Sequence, residues 1–185
     1  MNYNHQSEKR ILLIAALLGA VLASAPLGAI ASPAFIPGGN QVSVVNNTPG
    51  TLFLANASSI NGTVRYNLVG SGRNDSFILV AGNASTTFLA TGLFNNNFTI
   101  FSGGGNSTFS LSSGANSTFI IFEGNVNGSS STQEFAITGG ANCFLNETSL
   151  GPVGNALYSV NLGTNSTVSL GSVFAGNQTN INIVF

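Results

Sequence analysis

The residues best suited to chemistry in this chain are asparagines followed two places later by a hydroxyl. Twelve Asn-x-Ser/Thr triplets occur, at Asn46, Asn56, Asn61, Asn74, Asn83, Asn97, Asn106, Asn116, Asn127, Asn146, Asn165 and Asn177, and none has proline in the middle. Such a triplet is the acceptor for N-linked sugar, bulky and solubilising, which is carried on the carboxamide nitrogen. Random placement of 25 Asn and 38 Ser plus Thr in 185 residues gives about five triplets. The excess, spread evenly from Asn46 to Asn177, points to a surface built to carry N-linked glycans. Turn chemistry is the competing explanation: Asn, Gly, Ser and Thr crowd into turns and make triplets by accident. It accounts for the asparagines but not for the paired hydroxyls.

Other chemistries fail on residue type. Beyond residue 31 there is no His and no Lys, which removes the usual general bases and the Ser-His and Ser-Lys pairs. One cysteine, Cys143, cannot build a zinc site or an internal disulfide, and reads as a small buried residue beside Phe144. The carboxylates there are Asp75, Glu123, Glu134 and Glu147. A glycosidase needs two of them together, and nothing in the sequence pairs any two. Arg65, Arg73, Asp75 and Glu134 read as surface charges or one internal ion pair. Asp75 alone is too little for calcium. The segment GSGRND (70–75) lacks the lysine and helix of a phosphate loop. The expectation is a protein that is not an enzyme, with no cofactor and no metal. So few carboxylates also predict a fold that survives strong acid.

Charge is scarce throughout: 5% of residues against about 25% in ordinary domains, with net charge −1 and 43% hydrophobic residues. That balance opposes disorder and leaves solubility to something other than charge, a task glycans could perform. No basic patch exists, so nucleic acid is not an expected partner.

Residues 1–10 are polar and end in Lys9-Arg10; residues 11–23, ILLIAALLGAVLA, are apolar; small residues follow. This is the layout of a secretory signal. Ala29-Ile30-Ala31 before Ser32 makes the better cleavage site, because Ala23-Ser24-Ala25 is followed by Pro26. A signal peptide at 1–31 is therefore expected, with an extracellular, cell-surface location. An uncleaved anchor from Ile11 to Ala31 is the main rival, and would be the only membrane contact. A type IV pilin helix fits less well, since no Glu follows until Glu123.

From residue 40 onward, short apolar or alternating runs such as TVRYNLV (63–69), STFSL (107–111) and TNINIVF (179–185) are separated by Asn/Gly/Ser clusters. No helical period appears. Val64, Tyr66 and Leu68 share one strand face; FILV (77–80) and FIIF (119–122) are apolar on both and should lie between layers or against another subunit. The expected fold is all-β, a single antiparallel β-sandwich of pilin-like or jelly-roll-like form over 49–185, preceded by an extended arm over 32–48. A repeat of about ten residues in 82–124 also admits a β-solenoid, but the period does not continue through 125–185, and a meander is preferred.

An exported, lysine-free, β-rich chain dense in acceptor triplets resembles the archaeal thread-type subunits of glycosylated surface filaments. The resemblance covers the whole plan: signal, extended arm, β-domain and triplets. It implies a pilin-like sandwich and head-to-tail assembly by donor-strand complementation. Here the donor would be the Pro-punctuated arm, with Ala34, Ile36, Val42 and Val44 facing the acceptor groove. The expected function is then a structural subunit of an extracellular glycosylated filament, for adhesion or biofilm, with copies of itself as partners. The alternative is a non-polymerising secreted or membrane-anchored surface glycoprotein or adhesin, which assembly would distinguish.

Overall fold

Phe53, Phe77, Phe98 and Phe119 stand in one column, each ring stacked on the next at 4.6–4.9 Å between centroids. Such a column forms when the chain returns to the same place at every turn. A computed structural model of the chain, which describes residues 30–31, 41–58, 62–70, 73–83, 85–123, 131–149, 155–171 and 179–185, shows how it does so. After a short strand β1 (Ile30–Ala31), strands alternate between two sheets: β2 (Gln41–Asn46), β3 (Leu52–Asn56), β4 (Val64–Gly70), β5 (Ser76–Val80), β6 (Thr86–Thr91), β7 (Asn97–Phe101), β8 (Ser107–Ser112), β9 (Thr118–Glu123), β10 (Thr132–Thr138), β11 (Phe144–Ser149), β12 (Asn155–Asn161), β13 (Thr167–Leu170) and β14 (Thr179–Val184). Odd strands form one sheet of seven in sequence order, and even strands the other. None of the described residues is helical.

Every strand pairs in parallel with the strand two before or after it. This is a parallel β-solenoid, and it overturns the expected antiparallel β-sandwich. A ten-residue beat of strand plus turn is common to both folds; what differs is where the turn sends the chain. In a meander it reverses the chain within one sheet. Here each turn delivers it to the opposite sheet, so the structural period is two beats. The register advances from Phe53 to Phe77, Phe98, Phe119, Leu145 and Val168, so turns vary in length. That variation, with the residues 124–130 and 150–154 between strands, hides the period in the later sequence.

The inward faces of both sheets share one core. The even sheet contributes a second aromatic column, Tyr66, Phe88, Phe109, Phe135 and Tyr158, stacked at 4.7–5.1 Å. Val42 and Ile181 occupy the same column at its two ends. In-register parallel pairing puts like residues on like, so one aromatic choice repeated per turn builds a continuous stack, each contact contributing about 1 kcal/mol beyond burial. Val64, Tyr66 and Leu68 point inward, and Arg65 outward, as their alternation requires. The doubly apolar FILV segment is buried on both faces: Ile78 and Val80 join Leu52 and Phe101 in a separate cluster, with Leu54 and Phe122 against it.

Candidate functional surface

The corners between even and odd strands repeat one conformation. Asn74, Asn95, Asn116, Asn142 and Asn165 each have φ of 56–62°, and Gly50 takes the equivalent place with φ 74°. This left-handed conformation is tolerated by Asn and Gly and costs other residues about 1–2 kcal/mol. Successive corners are tied by backbone hydrogen bonds, Asn74 N–H to Phe94 O, Asn95 to Ala115, Asn116 to Ala141 and Asn142 to Thr164, at 2.9–3.1 Å. The next residue of each corner turns inward: Thr51, Asp75, Asn96, Ser117 and Cys143 are all buried. Thr51 N–H donates to Asp75 Oδ1 at 2.9 Å, Asp75 N–H to Asn96 Oδ1 at 2.9 Å, Asn96 N–H to Ser117 Oγ at 3.2 Å, and Cys143 N–H to Ser166 Oγ at 3.0 Å. Asp75, Asn96, Ser117 and Ser166 thus each satisfy an amide of the turn before, as buried backbone donors require.

This ladder corrects the reading of Asp75 as a surface charge: it is fully buried. Arg65, Arg73 and Glu134 are exposed, Arg73 over the ring of Phe94 at 5.6 Å. The ladder itself escaped sequence reading. Its signal was present, an Asn followed by a small residue just before β5, β7, β9, β11 and β13, but the triplet pattern overlaid it.

Nine of the twelve triplet asparagines lie in described residues. Asn56, Asn74, Asn83, Asn97, Asn106, Asn116 and Asn165 are exposed, and Asn46 and Asn146 are half-buried. Asn61, Asn127 and Asn177 lie outside the described residues. Asn46, Asn56 and Asn106 accept backbone N–H bonds from Thr48, Ser58 and Thr132 through their carboxamide oxygens, at 2.8–2.9 Å. The nitrogen that would carry a sugar takes no part in those bonds. Along the left-handed corner, triplets fall on every second turn: Asn74, Asn116 and Asn165 have the hydroxyl, while Asn95 and Asn142 between them do not. Strands are spaced about 4.8 Å, so acceptors on this corner stand about 9.6 Å apart.

Of the expected donor residues, Val42 and Val44 lie in β2, opposite Tyr66 and Leu68 of the chain's own sheet. Ala34 and Ile36 lie outside the described residues, as does the apolar run before Ile30.

The structure does bring two carboxylates together, which the sequence could not foresee. Glu147 occupies an aliphatic column, opposite Ile121 and Leu170. Glu123 faces the same core and accepts a hydrogen bond from Tyr158 Oη to Oε1 at 2.7 Å. Both glutamates are fully buried. Burial pushes the Glu123 carboxyl up to about 7, the tyrosine hydrogen bond opposes that, and the neighbouring Glu147 charge adds to it. Burial and the Glu123 carboxylate also raise the Tyr158 hydroxyl. Without exposed atoms, the pair presents nothing to a substrate in this conformation, and the chemistry left to Glu123 is proton binding. Groups of three or more metal-ligating His, Cys, Asp or Glu side chains are absent among the described residues.

No protein-family model matches the chain, and no curated protein or solved structure shows significant similarity to it.

Proposed function

We propose that this chain is a non-catalytic structural protein of the cell exterior, coated with N-linked glycans and serving as the subunit of an extracellular filament. The observation that carries the reading is the line of acceptor triplets along this corner. Left-handed geometry accounts for an asparagine on each of the five corners, but it asks nothing of the residue two places on. That residue is Ser or Thr after Asn74, Asn116 and Asn165; after Asn95 it is Asn97, itself an exposed triplet asparagine, so four exposed acceptors line this edge, where sugar lies clear of the strand ladder. The scarcity of surface charge supports the same reading, since a sugar coat keeps uncharged surfaces apart sterically. A rigid, extended scaffold of stacked turns suits load and display better than catalysis.

The test is intact mass and negative-stain microscopy on protein recovered from its own cell surface. Thin filaments and a mass well above the 18.8 kDa of the chain are expected, with sugar on Asn74, Asn116 and Asn165. A mass equal to that of the processed polypeptide would reduce the triplets to turn chemistry. Added mass on monomers would leave a surface glycoprotein that does not polymerise.

A further inference from the structure

The two ends of the coil match each other. At one end β2 is the outermost even strand, and at the other β14 is; among the described residues neither has a neighbour on its outer side. Natural edge strands are normally blunted by charge or proline. Neither QVSVVN of β2 nor TNINIV of β14 carries either. Apolar side chains are instead left in water there: Val45 is 65% exposed, Ile181 45%, Val184 52% and Phe185 67%.

The register says what fits. Ile181 and Ile183 continue the inward columns of Tyr158 and Val160, while Val42 and Val44 begin those of Tyr66 and Leu68. A strand that kept these columns would place Ile181 on Val42 and Ile183 on Val44. The outward Val184 then falls beside the outward Val45, so the two most exposed valines cover each other. The other sheet runs from β1 to β13. With β1 counted, each sheet holds seven strands, a whole number of turns, and a second copy set on the end of the uncleaved chain continues both sheets at once.

We infer that copies of this chain join end to end, β14 of one pairing in parallel with β2 of the next in the register that sets Ile181 on Val42, so that the coil runs unbroken through the joint. This rests on the filament reading and specifies its contact. The contact is heterologous and leaves a free end at each addition, so it yields an open fibre and not a closed ring. Seven strand spacings give an axial repeat of about 33 Å. Cleavage after Ala31 would take β1 away, so in the processed chain the pairing of β14 with β2 alone carries the joint.

The experiment compares assembly of the wild-type chain with V45K/V184K and with V45E/V184K, by microscopy and sedimentation, with circular dichroism as the folding control. Both positions are outward and more than half exposed, so neither change disturbs the core. Like charges directly opposite across strands repel and opposite charges attract. The double-lysine variant should need several-fold, up to about tenfold, more protein to assemble than the variant with opposite charges. Wild-type fibres, which need no substitution, should show the repeat of about 33 Å. Fibres that form equally well from all three chains, or that show another repeat, overturn the joint and leave the filament reading standing. If native surface preparations contain no polymer, the filament reading and the joint fall together.

Discussion

Glu123 is the residue at which buried chemistry and stability meet. Its carboxyl titrates near 7 in the fold and near 4.5 when unfolded. The folded state therefore holds the proton more tightly across that window. Stability from this group is fully present below about pH 4.5 and is lost as pH rises through about 7, by about 3 kcal/mol. The sign is opposite to that of a paired surface carboxylate. It reinforces the acid tolerance expected from the scarcity of carboxylates and gives it a specific origin. Denaturant midpoints measured at pH 4.5 and pH 8 should show the acidic sample more stable. Glu123→Gln, which keeps an acceptor for Tyr158 but cannot ionise, should flatten the difference. A wild-type midpoint that rises with pH would contradict the assignment. No sequence rule could have paired Glu123 with Glu147, 24 residues apart, because the visible repeat stops at residue 124.

At the scale of strands, identical side chains in register hold the turns together. Phe98 lies mid-column between Phe77 and Phe119 and is fully buried. Phe98→Ala removes two stacking contacts and opens a cavity with strands fixed on both sides, so it should destabilise by about 3–5 kcal/mol. Phe98→Leu should cost much less, because a branched aliphatic already serves the same column at Leu145. Chemical denaturation of the two variants checks the order, and equal losses would argue against a packed column. Most individual strands were legible beforehand. TVRYNLV became β4 and STFSL became β8, and the alternation of Val64, Tyr66 and Leu68 correctly marked a buried face. Their partners were not legible. Alternation specifies which face is buried but not which strand lies alongside, and a corner and a hairpin use the same Asn, Gly and Ser.

As a whole molecule, a coil in which each turn touches mainly its neighbours stores stability as a sum over turns. Deleting Asn155–Phe185, which removes β12 to β14, should therefore leave the earlier turns folded. It should lower the unfolding midpoint and reduce the denaturant slope in proportion to the surface lost. Circular dichroism of the shortened chain reports this directly; complete loss of β-signal would indicate that the turns depend on one another like the strands of a closed sandwich. The same additive design allows a further copy to extend the coil, and it makes the pairing of β14 with β2 the natural point of assembly.

Residue chemistry was readable in one dimension. The acceptor triplets, the absence of His and Lys beyond residue 31, the all-β character and the inward set of Val64, Tyr66 and Leu68 all follow from side-chain type and a period of two, which act locally. The parallel pairing, the burial of Asp75, the meeting of Glu123 with Tyr158 and the alternation of triplets along one corner emerged only in three dimensions. They depend on where each corner sends the chain, a property of backbone angles that asparagine permits in several folds and that only the stacking of complete turns selects.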